Sequence, residues 1–131
     1  MAEPNSMGDD EASRKLTIAV DFDGVIANYD GWTESSLIGA PRKDVIEALK
    51  ALRREGWKII VYSCRGAQEI APYLQENEIP FDEINPGPSK PTKGTKPRAT
   101  VYWDDRACCY SGNALEDLEQ IRHFRTWSGR K

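Results

Sequence analysis

No apolar run in the 131 residues approaches the roughly 20 residues that a helix needs to cross a bilayer, so no membrane partner is expected. The opening stretch 1–15, MAEPNSMGDDEASRK, is polar and acidic and lacks the apolar centre of a signal peptide. Cysteine is scarce: Cys64, Cys108 and Cys109 make an odd count without paired metal-ligand spacing, and a reducing cytoplasm is the expected setting. Histidine is scarcer, and the single His123 is assigned no catalytic part. Positive charge is not in excess. A net charge of −3 argues against non-specific nucleic-acid binding, although Arg122, Arg125, Trp127, Arg130 and Lys131 form a basic, aromatic end. The length allows one domain, expected over 16–127, between a disordered tail at 1–15, in which Met7 offers an alternative start, and a short tail at 128–131.

What is present is a set of apolar runs with polar ends. Leu16 to Val25, LTIAVDFDGV, is rich in Ile and Val and closes on Asp21, Asp23 and Gly24, which reads as a buried strand leaving its sheet. Trp57 to Ser63, WKIIVYS, runs into Cys64, Arg65 and Gly66, and Arg98 to Asp105, RATVYWDD, ends in adjacent acids. In an open parallel α/β sheet, ligands bind outside the carboxyl ends of the strands, near the point where strand order reverses. All these polar ends could therefore converge. Carboxylates gathered there would raise one another's pKa values unless a metal neutralised them, and oxygen-only ligation favours a hard cation such as Mg²⁺. A hydroxyl at Ser63, with the turn N–H groups at Cys64 and Arg65, could hold phosphate oxygens as a nest does, and the Arg65 side chain could add a charge-assisted contact.

DFDGV, a strand-end serine, a lysine and a strand-end DD, in that order, resemble the haloacid dehalogenase superfamily of phosphatases and phosphotransferases over Leu16 to Tyr110. The resemblance implies a three-layer Rossmann-like α/β sandwich around a central parallel sheet whose central strand comes first in sequence. It also implies Mg²⁺-dependent cleavage of phosphate monoesters through an aspartyl-phosphate. Asp21 would be the nucleophile and Asp23 the general acid and base. Asp21, the backbone carbonyl of Asp23, Asp104 and Asp105 would serve the metal, and Ser63, Cys64, Arg65 and a lysine the phosphate. Lys96 is the lysine chosen, because it directly precedes the DD strand, with Lys93 in reserve. Pro97 departs from the usual pattern by following it.

The remaining chain supports these ends. Residues 26–40 are too short for a cap domain and leave only a flap, in which Trp32 is read as packing on the domain surface. The site should be open, reached by a bulky phosphorylated substrate or closed by another subunit. Pro41 to Glu55 is the clearest helix, with Pro41 at its first position, Val45, Ile46, Leu49 and Leu52 on one face, and Gly56 as its stop. Ala67 to Asn77 reads as a shorter helix, either regular only from near Glu69 or kinked at Pro72, and Phe81 to Asn85 as a strand at the sheet edge. Pro86 to Arg98 holds four prolines and no acid and reads as a loop. Asn113 to Phe124 opens with a capping pair, Asn113 and Glu116, and its stripe of Leu115, Leu118 and Ile121 should pack on the sheet. Two other classes stay open: a non-catalytic binding module on the same fold, and a receiver domain that accepts a phosphoryl group. In a receiver the acid pair comes early and the lysine late, whereas here the adjacent acids come last.

Overall fold

The computed structural model describes residues 16–29, 37–85 and 97–126. The tail at 1–15, Trp32, Lys93, Lys96 and the residues from Trp127 onward lie outside them. The elements, in order, are β1 (Thr17–Asp21), α1 (Lys43–Arg54), β2 (Lys58–Tyr62), α2 (Ala67–Glu76), β3 (Glu83–Asn85), β4 (Val101–Trp103) and α3 (Ala114–Arg122). All four strands join one parallel sheet in the order β3-β2-β1-β4. The fold is α/β, and no described helix is long and apolar enough to cross a membrane.

Strand order decides where a site can form. From β1 the chain steps outward through β2 to β3, then returns to the other side of β1 as β4. The reversal therefore falls between β1 and β4, and their carboxyl ends border the crevice that such a reversal opens. Consecutive residues Ile18, Ala19 and Val20 of β1, and Ile59, Ile60 and Val61 of β2, are buried, so both faces of these strands are covered. That explains why their sequences are apolar runs rather than alternations. Val45, Ile46 and Leu49 of α1 and Ile70 and Leu74 of α2 complete the core, with Phe22 set edge-on against Tyr73 at 5.2 Å.

Two expectations about the helices change. α1 begins at Lys43 with Arg42 as its cap, so Pro41 is not the first helical residue. Pro41 is instead held extended in an antiparallel bridge to Ala27, flanked by the bonds Asn28 N–H to Ala40 C=O and Arg42 N–H to Ile26 C=O. α2 starts at Ala67, as expected, and carries Pro72 inside it. The second change is the larger. In α3 the apolar stripe is left in solvent, with Leu115 78% and Ile121 57% exposed, while Asp117 is the buried residue. Local bonds set this rotation: Asn113 Oδ1 accepts from the N–H groups of Leu115 and Glu116, and the Asp117 carboxylate accepts from Ser111 N–H.

Candidate functional site: an acidic cluster at the strand reversal

Parallel register puts Asp21 opposite Tyr62, and Val20 opposite Trp103. Extending the β1–β4 register by one residue sets Asp104 beside Asp21, so the last residue of β1 stands between the ends of β2 and β4. Carboxylate oxygens of Asp21, Asp104 and Asp105 all lie within 4.8 Å of one another. Burial, then the charges and hydrogen bonding of Asp104 and Asp105, push the Asp21 carboxyl up to about 8. Three acids held this closely favour a proton or a cation among them. An all-oxygen, partly buried donor set fits a hard divalent ion such as Mg²⁺.

Neighbouring atoms fix the cluster. Tyr62 Oη donates to Asp104 Oδ2 at 2.5 Å, and the Arg106 N–H donates to Asp104 Oδ1 at 2.7 Å. Burial and the Asp104 hydrogen bond both raise the Tyr62 phenol above its usual range, so it remains a donor. Gly24 lies against Asp105 with φ +94°, and a Cβ there would come 2.8 Å from the Asp105 Cγ. Only glycine meets both conditions. The tight return after β1, in which the N–H groups of Ile26 and Ala27 donate to the Phe22 carbonyl, brings Gly24 there.

Asp23 does not join the cluster through its side chain. Its carboxylate accepts from Arg65 Nε at 2.9 Å and from Arg65 Nη2 at 3.2 Å. Arg65 Nη1 donates onward to Glu69 Oε2 at 2.8 Å, and Arg65 is only 6% exposed. The guanidinium expected to meet phosphate is thus turned inward onto Asp23. Asp23 is the main cause that raises the Arg65 pKa further above its ordinary value. Ser63 stands at the end of β2 as expected, half-buried, but its Oγ accepts the Arg65 N–H at 3.0 Å. That N–H is directed to Ser63, whose own hydroxyl proton can still be donated. Cys64 is exposed beside it.

Tyr62, Glu69 and Gly24's contact with Asp105 belong to the site without being marked by any motif. For Tyr62 the signal is its position directly before Ser63, but only the register shows that it flanks Asp21. Glu69 follows Arg65 by four residues, a usable helix-spacing signal. Beside Asp104 and Asp105 lies a cavity of about 330 Å³ whose wall includes Val25, Arg42, Trp103 and Phe124. Phe124 arrives there from beyond α3, far along the chain.

No protein-family model and no curated protein matches the chain. Among solved structures, a conserved protein of Bacteroides thetaiotaomicron superposes with a TM-score of 0.56 at 26% identity, covering 88% of this chain and 97% of that one. The likeness is one of fold. A crystal structure from Vibrio cholerae is 24% identical, covers 84% of this chain and 99% of that one, and has a TM-score of 0.46. Neither is named for an activity.

Proposed function

We propose that this chain is an Mg²⁺-dependent phosphohydrolase of the haloacid dehalogenase type, a capless three-layer sandwich that cleaves phosphate monoesters through an aspartyl-phosphate. One observation carries the reading: Asp21, Asp104 and Asp105 meet at the strand reversal, on the residues that the DFDGV and DD motifs single out. Asp21, Asp104 and Asp105 would hold the ion, which when bound supplies charge neutralisation around the transferring phosphoryl group.

The chain's own groups supply the rest. The Asp21 carboxylate attacks phosphorus in line, forming the aspartyl-phosphate as the ester P–O bond breaks. Asp23 gives a proton to the leaving oxygen and later takes one from the hydrolytic water, a role typically worth about 10²–10⁴ in rate. The Ser63 hydroxyl donates to a phosphoryl oxygen, and by resemblance Lys96 offsets its charge.

Phosphate release from an aryl phosphate and from panels of nucleotides and sugar phosphates, with Mg²⁺ and with EDTA, tests this. Mg²⁺-dependent release is expected from at least one class, and Asp21→Asn should abolish it while preserving the circular dichroism spectrum. Metal-dependent turnover that survives in Asp21→Asn would sink the proposed nucleophile.

A further inference from the structure

Arg65 is a buried cation held by two acids, in a turn that borders the acidic cluster. A guanidinium is costly to bury unless its charge is paired and its N–H groups are satisfied. Here Nε and Nη2 grip both oxygens of Asp23, while Nη1 reaches Glu69 in the first turn of α2. A fork gripping both oxygens fixes the rotation of the carboxylate plane, which a single bond would leave free. Glu69 limits the guanidinium in turn. It does so from a helix whose Ile70 and Leu74 are fully buried in the core. The Arg65 N–H also holds Ser63 Oγ, so one residue sets the hydroxyl on the phosphate side and the carboxylate on the proton-transfer side.

Resting on the phosphohydrolase reading, we infer that Arg65, locked by Glu69, is the positioning residue that holds Asp23 in the orientation needed to hydrolyse the aspartyl-phosphate. A carboxylate offers about four lone-pair positions, and Arg65 occupies two. Those remaining can accept from water. In the step so served, the water oxygen forms a bond to phosphorus and its proton passes to Asp23. The bond between phosphorus and the Asp21 oxygen breaks, and the Asp21 carboxylate departs with the electron pair. Arg65 touches neither phosphorus nor water and acts through Asp23.

The hydrolytic half-reaction should therefore suffer more than the phosphorylating one when Arg65 changes. Rapid-mixing kinetics with p-nitrophenyl phosphate and Mg²⁺ separate the two, because this leaving group departs without needing a proton. For Arg65→Lys and Arg65→Met, steady turnover should fall about tenfold or more, as expected when a general base loses its orientation. The initial p-nitrophenolate burst should persist, and a hydroxylamine-sensitive phosphoenzyme should accumulate. Lysine keeps the charge and not the fork, so it should not rescue. Glu69→Gln, which leaves the Asp23 pairing intact and whose site is on the half-exposed side of α2, should shift the same partition more weakly. It also serves should either Arg65 variant fail to fold.

A folded set in which burst and steady rate fall together, or in which no phosphoenzyme builds up, overturns the positioning role while leaving the phosphohydrolase in place. Absence of phosphoenzyme and turnover in the unaltered chain overturns both.

Discussion

Tyr62 shows how one hydroxyl can govern an acidic site without belonging to any motif. Its bond to Asp104 Oδ2 and the Arg106 N–H bond to Oδ1 fix that carboxylate from both sides. Outer hydrogen bonds of this kind typically contribute about 10–100-fold in metal affinity. Tyr62→Phe removes the hydroxyl and keeps the ring, so Mg²⁺ affinity measured by calorimetry should weaken within that range while the fold persists. Unchanged affinity would remove Asp104 from the ligand set or Tyr62 from its support. Asp21, Asp104 and Asp105 are legible in the sequence because each closes an apolar run. Tyr62 is not, because its role depends on register with another strand. For Arg65 the sequence shows a charge near a strand end but not its direction, which the burial of its guanidinium on Asp23 decides.

At the level of elements, the helices divide by what their apolar faces meet. α1 presents Val45, Ile46 and Leu49 to the core, and Leu49 is fully buried. Leu49→Ala should cost about 2–5 kcal/mol, the usual range for emptying a packed leucine site. α3 carries a similar pattern in sequence, yet Leu118 is 39% and Ile121 57% exposed. A double substitution of Leu118 and Ile121 to Gln should therefore change stability by only about 0.5 kcal/mol per site or less, as is usual for surface positions. Urea denaturation of the two variants checks the contrast, and a large loss in the α3 variant would mean that its stripe is covered. Periodicity reveals an amphipathic helix but not its rotation, and in α3 the Asn113 cap and the Ser111–Asp117 bond decide that rotation.

For the whole molecule, the acidic cluster links folding to protons and, on the proposed reading, to Mg²⁺. Asp21 titrates at about 8 in the folded chain against 3.8 for the free group, so between those values the folded chain retains a proton that the unfolded chain has released. Stability from this group is full below the unfolded value and is lost as the pH rises through about 8. Metal-free protein should consequently melt at progressively lower temperature as pH rises from about 5 to about 9, and saturating Mg²⁺ should flatten that slope by replacing the proton. Apparent Mg²⁺ affinity should increase over the same interval and level off above about 8. Thermal melts in EDTA and in Mg²⁺ across this range provide the check, and parallel curves would separate the cluster from metal binding.

The sequence by itself determined the buried cores of β1 and β2 and the polar ends of the strands, because burial on both faces demands unbroken apolar runs and any acid must wait until the strand leaves the sheet. β4 reads as a core strand in the same way, yet it lies at a sheet edge with Val101 and Tyr102 exposed. The sequence also marked β3 as an edge strand and the amphipathic face of α1. Tertiary structure alone decided which ends meet. The order β3-β2-β1-β4 sets Asp21 between Tyr62 and Asp104, and the fold turns Arg65 onto Asp23. Such pairings arise from contacts between residues tens of positions apart, whose energies depend on register and rotation that no local pattern encodes.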